Sequence, residues 1–139
     1  MSMNLDTIYF DMIKQRKKLY ETRVYDEKRQ QIKLKDIIKF TDRGSNRTFV
    51  AMITELSYFT NFKDAIETVG LKKIMPNVRS VQDAVKIYEN FPHSTGTFKT
   101  GAKKYGVLRM KFTLLWFIYL TYNSLYSLIN LFLQYLYFG

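Results

Sequence analysis

The side chains best suited to chemistry lie close together between Lys18 and Tyr25. Lys18, Glu21 and Arg23 supply an ammonium, a carboxylate and a guanidinium within one short stretch. In an extended strand successive side chains alternate between two faces, so Glu21, Arg23 and Tyr25 share one face. The carboxylate and the guanidinium can pair with each other and brace the fold, or the guanidinium can donate to a phosphate or a base edge. The pattern predicts a polar cleft beside this strand.

Several elements must position that strand. Alternating apolar residues predict strands over 19–25, 36–40, 48–56 and 106–112, and helical spacing predicts helices over 6–17, 61–70 and 80–88. The 48–56 strand is apolar on both faces, which favours a central place in a small barrel-like sheet. In the last strand Leu108, Met110 and Phe112 are expected to face inward, while Arg109 faces outward.

The segment 90–104 is rich in proline, glycine, serine and threonine, and it predicts a mobile loop that closes over a ligand or has no role. The single histidine, His93, lies in this loop beside Pro92. No base partner is visible for it in the sequence, so we expect a solvent-exposed side chain.

The pattern Lys18-x-x-Glu21-x-Arg23, continued by residues 25–29 and IKLKDIIKF, resembles the ASCH domain. That family's signature is glycine, any residue, lysine, two residues, glutamate, any residue, arginine. Weaker similarity continues to residues 105–108, so the resemblance covers about residues 3–112. It implies an α+β fold, a small β-barrel of the PUA-like type with packed helices. Arg16 stands where the signature has glycine.

The resemblance implies binding of RNA or a nucleotide-like ligand. Lys18 and Arg23 would bind a phosphate or a base edge, and Glu21 would orient Arg23 or accept from an amino group. Tyr20 or Tyr25 could stack on a base, and Tyr25 is favoured because it shares the face of Glu21 and Arg23.

The end of the first predicted helix is strongly basic. Lys14, Arg16 and Lys17 complement the negative end of a helix dipole, and they also suit a phosphate-facing rim of the cleft. Both interpretations can hold together.

An enzymatic alternative rests on the same resemblance. Small bacterial ASCH-fold amidohydrolases that deacetylate N4-acetylcytidine use a lysine, a threonine and a glutamate, with the threonine three residues after the lysine. Here Lys18 is followed at that spacing by Glu21, and alternation turns Thr22 to the opposite face. An acid–base hydrolase using Lys18, Glu21 and water is the remaining form of this hypothesis.

Composition bounds the partners. The 139 residues include 22 Lys and Arg against 12 Asp and Glu, a net charge of +10 that favours polyanionic partners. The chain has no cysteine, which excludes disulfides and thiolate metal sites.

The first ten residues lack the build of a signal peptide, so a cytoplasmic location is expected. No glycine-rich phosphate loop and no metal-ligand spacing is present, and we expect no cofactor and no metal.

The residues after 112 have a different chemistry. From Phe112 onward the chain carries no Asp, Glu, Lys or Arg, over a length that exceeds the roughly 20 residues a helix needs to cross a bilayer. We therefore divide the chain into an ASCH-like domain, 1–112, and a hydrophobic helical tail, 113–139. The tail could be a membrane anchor over 114–134 with the domain on the cytosolic side, a helix docked on a partner, or an adventitious extension. A membrane-tethered interaction protein is accordingly a further alternative.

Overall fold

The computed structural model describes the backbone of residues 1–138 and the side chains of 1–115 and 123–137. The strands are β1 (Ser2–Leu5), β2 (Tyr20–Val24), β3 (Ile37–Asp42), β4 (Thr48–Phe59), β5 (Pro92–His93), β6 (Gly96–Thr97) and β7 (Val107–Leu114). The helices are α1 (Thr7–Lys14), α2 (Phe62–Glu67), α3 (Leu71–Ile74), α4 (Val81–Glu89), α5 (Phe98–Tyr105) and α6 (Leu115–Phe138), and a short 3₁₀ helix covers Arg29–Gln31.

A five-stranded sheet in the order β1-β3-β4-β7-β2 forms the framework. The β1–β3 pair is parallel and the other pairs are antiparallel. An irregularity in the β4–β7 register between Ile53 and Glu55 increases the local twist. The sheet curls into a half-barrel, and the Arg23 side chain of edge strand β2 reaches the Asn4 carbonyl of edge strand β1 at 2.9 Å. The predicted α+β class and the central place of the 48–56 strand are confirmed.

Two apolar cores lie on opposite sides of this sheet. Phe40, Ile53 and Met110 belong to the core inside the half-barrel. The other core lies under the helices and includes Phe62 of α2 and Tyr88 of α4. Helices therefore cover the outer face of β2 and β7, which buries these strands on both sides.

The packing of the helices on the sheet corrects two predictions about which strand residues are exposed to solvent. Arg109 was expected to face outward, but it is only 6 % exposed, and its Nη1 donates to Ala65 O of α2 at 2.8 Å. Along β4 the first half alternates instead of being buried on both faces, and Val50 is exposed. Which strands are covered on both faces depends on where the helices pack, and strand periodicity alone does not encode that.

The prediction of a loop over 90–104 is wrong, because the segment forms the β5–β6 hairpin and α5. Thr97 begins α5 with a capping box: its hydroxyl accepts from Thr100 N–H, and the Thr100 hydroxyl accepts from Thr97 N–H. Gly106 follows the helix with a φ of 82°. These start and stop signals were present in the sequence, but the many small polar residues obscured them.

The tail differs from the prediction in two respects. Strand β7 runs past the predicted boundary at 112, and Leu114 pairs with Ala51 and is buried. Helix α6 follows, but within the described part of the chain no helix combines the length and the apolar character needed to cross a membrane. The anchor predicted over 114–134 is therefore not supported, and the side chains of 116–122 in that range lie outside the described residues.

Candidate functional site

The turn that leads into β2 contains a residue in the left-handed region. Arg16 has a φ of 60°, a conformation that costs a residue with a β-carbon roughly 1–2 kcal/mol. Its N–H donates to Ile13 O, and Lys17 N–H donates to Met12 O, both at 2.9 Å. This is the pairing of a Schellman motif, in which glycine is the usual left-handed residue. Arg16 thus keeps the turn that the signature's glycine would make, and it directs Lys18 into the interior.

Lys18 is buried, at 1 % exposure, and its ammonium is fully used inside the protein. Nζ donates to Ile74 O, to the Tyr88 hydroxyl at 2.9 Å and to Glu21 Oε1 at 3.4 Å. An ammonium has three N–H donors, so these acceptors satisfy it. Burial lowers the pKa of Lys18, and the neighbouring carboxylate of Glu21 offsets part of that effect. Lys18 therefore joins α3 and α4 to β2 and does not line the cleft.

Glu21 is held as a carboxylate whose two oxygens have different surroundings. Oε1 accepts from Thr22 N–H at 2.9 Å and from the Tyr88 hydroxyl at 3.2 Å, in addition to the contact with Lys18. Oε2 contacts Arg23 Nη2 at 3.5 Å and accepts from no other described residue. Burial raises the pKa of Glu21, but the charges of Lys18 and Arg23 and these hydrogen bonds outweigh it, so the pKa lies below its usual value. Oε2 is the oxygen with acceptor capacity left.

Arg23 lies where the two edge strands approach each other. In the β2–β7 register Glu21 is opposite Met110 and Arg23 is opposite Leu108, which places both on the inner face of the half-barrel. Besides the bond from Nη2 to Asn4 O, no hydrogen bond from Nη1 or Nε of Arg23 to another described residue is found. Arg23 therefore presents free donors next to the free acceptor of Glu21.

Glu21 and Arg23 form one side of a cleft of about 390 Å³. The floor includes Glu21, Thr22 and Tyr88. The other lining residues come from β1, the start of α1, β2 and the segment after it, the turn after β3, the residue before the β5–β6 hairpin, the hairpin itself and α5: Asn4, Leu5, Asp6, Tyr9, Arg23, Asp26, Arg29, Arg43, Phe91, Pro92, His93, Ser94 and Phe98.

Aromatic rings form one wall of the cleft. Tyr9 and Phe91 meet edge to face with ring centroids 6.1 Å apart, and Phe91 meets Phe98 in the same way at 5.5 Å. Tyr25, which the sequence favoured for stacking, does not line the cleft; it packs against Tyr58 with ring centroids 4.8 Å apart. The aromatic residues beside the cleft were missed because they come from α1, from the segment after α4 and from the first residue of α5, all far from β2 in the sequence.

His93 is an ordered part of the hairpin wall, so the prediction of a solvent-exposed side chain is wrong. Its side chain is 6 % exposed, and Nε2 lies 3.0 Å from Asp26 Oδ2. Thr95 N–H donates to Nδ1 at 3.1 Å, which makes Nδ1 an acceptor and assigns the ring proton to Nε2. A β-carbon at Gly101 would lie 2.9 Å from Nδ1. Gly101 thus allows α5 to pack directly on this histidine.

The charges of the cleft compensate one another. Each lining carboxylate lies beside a lining arginine: Glu21 with Arg23 at 3.5 Å, Asp26 with Arg29 at 2.9 Å and Asp6 with Arg43 at 3.3 Å. The cleft is therefore close to neutral, although the chain carries +10. Such a site suits an uncharged polar group better than a phosphate.

The remaining predicted site residues lie outside the cleft. Arg16 and Lys17 are exposed on the turn after α1 and do not line it. Within the described residues, no cluster of His, Asp and Glu could hold a metal ion. The tertiary structure thus brings Glu21 and Arg23 to the cleft and places Lys18 behind its floor. The two predicted tyrosines do not line the cleft either: Tyr20 is buried and Tyr25 is half-buried.

Comparison with known proteins places this architecture. The model of the ASCH domain matches residues 3–115. The crystal structure of the hypothetical protein PH0355 superposes with a TM-score of 0.70 at 34 % identity, covering 81 % of this chain and 96 % of that one. The solution structure of PF0455 from Pyrococcus furiosus gives 0.63 at 32 % identity, covering 82 % of this chain and 96 % of that one. A search of curated proteins found no match.

The matched range ends just after β7, so it contains the half-barrel, its helices and the whole cleft. Both structural neighbours exceed 30 % identity over most of this chain. The chain therefore belongs to the ASCH domain family, whose members are generally thought to bind RNA.

Proposed function

We propose that the protein binds single-stranded RNA by taking one nucleobase into the cleft. The observation that carries the proposal is the pairing of a free carboxylate oxygen, Glu21 Oε2, with the free donors of Arg23 beside an aromatic wall. Base edges present donors and acceptors side by side, and an acceptor next to a guanidinium complements such an edge.

The aromatic wall supports the same ligand class. Tyr9 and Phe91 are half-buried at the cleft, and unstacked bases of single-stranded RNA commonly stack on such rings. The paired charges of the cleft leave no excess positive charge for a phosphate. The base is therefore the part of a nucleotide that this site fits.

The hydrolase alternative has no comparable support. Lys18 has all its N–H donors engaged and lies behind Glu21, and Thr22 Oγ1 is buried. Thr22 belongs to the cleft floor, but with Oγ1 buried and the Lys18 ammonium engaged neither side chain is exposed as a nucleophile or as a base.

The test is an amide-shift titration of the full chain with the four ribonucleosides and with a mixed-sequence single-stranded RNA. Shifts are expected at Glu21, Arg23 and Phe91. Arg23→Ala should weaken RNA binding by about tenfold or more, since a good side-chain contact to a base edge contributes about 1–3 kcal/mol. Arg79→Ala removes one exposed arginine outside the cleft and should change affinity little. Equal losses in both variants, or shifts that avoid the cleft, would contradict base binding.

A further inference from the structure

The net charge of +10 must lie mainly outside the cleft, because the cleft arginines are paired with carboxylates. One surface gathers several exposed cations. It consists of Lys14, Arg16 and Lys17 at the end of α1 and of Lys72 and Lys73 in α3, all of them exposed. We call these five residues the basic patch.

The fold, and not the sequence, joins the two halves of the basic patch. Leu19 N–H donates to Lys73 O at 2.7 Å, and Lys18 Nζ donates to Ile74 O. These bonds fix α3 alongside the chain that leaves α1. The two segments are more than fifty residues apart in the sequence, so the sequence predicted only the α1 half.

The four lysines of this surface have no carboxylate partner among the residues that the structure describes. Lys14, Lys17, Lys72 and Lys73 make no ion pair with any described residue. Asp11, the one acid on α1, is paired with Arg47 at 2.9 Å. The negative ends of α1 and α3 account for part of this preference for lysine. Gathering like charges without counter-charge is nevertheless unfavourable unless an anion binds them.

The basic patch lies one helix length from the cleft. Asp6 and Tyr9 at the start of α1 line the cleft, and Lys14 ends the helix, about 12 Å further on at 1.5 Å per residue. A stacked RNA strand advances about 3.4 Å per nucleotide, so about four nucleotides span the distance from the cleft to the basic patch.

From this placement we infer that the basic patch binds the phosphodiester backbone of the RNA strand whose base occupies the cleft. The inference rests on the proposed function. Flexible lysines act as point charges toward phosphates and carry no sequence information. The patch would therefore set affinity and strand direction, while the cleft reads a base.

The experiment measures the affinity of the full chain for a labelled eight-nucleotide RNA between 50 and 200 mM salt. Each phosphate contact to a single strand contributes about 0.7 to the slope of log affinity against log salt. K72Q/K73Q removes two such contacts, so the fall of affinity with salt should become shallower, by about 1.4 in the slope. The matched control K33Q/K39Q removes two exposed lysines elsewhere and should lower it far less. Equal changes in the two variants would overturn the inference.

Two further measurements separate this inference from the proposed function. Ribonucleosides carry no phosphate, so their shifts at the cleft should be the same in K72Q/K73Q as in the parent chain. If nucleosides bind and the salt slope for RNA is unchanged in K72Q/K73Q, the basic patch does not bind the RNA backbone, and base binding in the cleft still stands. If nucleosides fail to bind while the slope still falls, the cleft proposal fails alone. Loss of binding to anionic vesicles with an unchanged RNA slope would assign the patch to a membrane surface and overturn the inference.

Discussion

Glu21 contacts two cations with two different consequences. Its Oε1 completes the coordination of the buried Lys18 ammonium, and its Oε2 remains directed toward Arg23 and the cleft. One carboxylate thereby supports the fold and supplies the acceptor of the proposed base site. A substitution at this residue affects both, so stability and binding must be measured separately.

We predict that Glu21→Gln lowers the free energy of unfolding by about 3–5 kcal/mol, because removing one partner of a buried pair leaves the other charge uncompensated. Chemical denaturation measures the loss. Lys18→Met in the same chain removes the stranded ammonium, and the double variant should regain part of the stability lost in Glu21→Gln. A loss below about 1 kcal/mol in the single variant would show that this pair does not brace the fold.

At the scale of elements, the turn after α1 carries a conformational cost that can be measured. Arg16→Gly should stabilise the fold relative to Arg16→Ala by about 1 kcal/mol, because glycine adopts a positive φ freely and alanine does not. Both variants remove the same charge and the same side-chain contacts of Arg16, so their difference isolates the backbone. Thermal or urea unfolding of the pair gives the value, and equal stabilities would contradict the left-handed assignment.

The end of β7 defines a second test at this scale. A chain ending at residue 115 should unfold at a higher denaturant concentration than one ending at residue 112. The longer chain keeps Leu114, which is buried and pairs with Ala51, and burying a leucine contributes about 1.5–3 kcal/mol. Equal midpoints would place the boundary at 112 after all.

At the scale of the whole molecule, buried carboxylates make the fold sensitive to acid. Asp42 accepts from the hydroxyls of Ser45 and Thr7 (both 2.6 Å), from Gly44 N–H and from Arg47. The hydrogen bonds from Ser45 and Thr7 are the main reasons that the pKa of Asp42 lies far below its usual value. Glu21 and Asp26 also have lowered pKa values in the folded chain.

A lowered carboxyl pKa stabilises the fold above the unfolded pKa, and the contribution is lost as pH falls below it. In an unfolded chain Asp and Glu have pKa values of about 3.9 and about 4.3. We therefore expect the urea midpoint to change little from pH 7 to about 5 and to fall steeply below about 4. Asp42→Asn should be less stable at pH 7 and show a shallower fall, whereas Glu27→Gln, at an exposed position, should follow the parent curve. A midpoint that rises on acidification would contradict this account.

The sequence by itself determined the local parts of this protein. Period-2 and helical patterns located β2, β4, α2 and α4, because the apolar face of each element is written in its own residues. The helices predicted from 61 and from 80 begin at caps that are local in the same sense: the side chains of Asn61 and Ser80 each accept from a backbone N–H three residues on. The signature also located Glu21 and Arg23.

Only the tertiary structure decided which groups meet. The curl of the sheet brings Arg23 to Asn4, packing of α4 brings Tyr88 to Lys18, and the β5–β6 hairpin brings His93 to Asp26. These contacts join residues far apart in the sequence, so no local spacing encodes them. Lys18 shows the physical reason most directly: its type suggested a ligand contact, but the turn at Arg16 and the packing of α3 bury it where internal acceptors satisfy every donor.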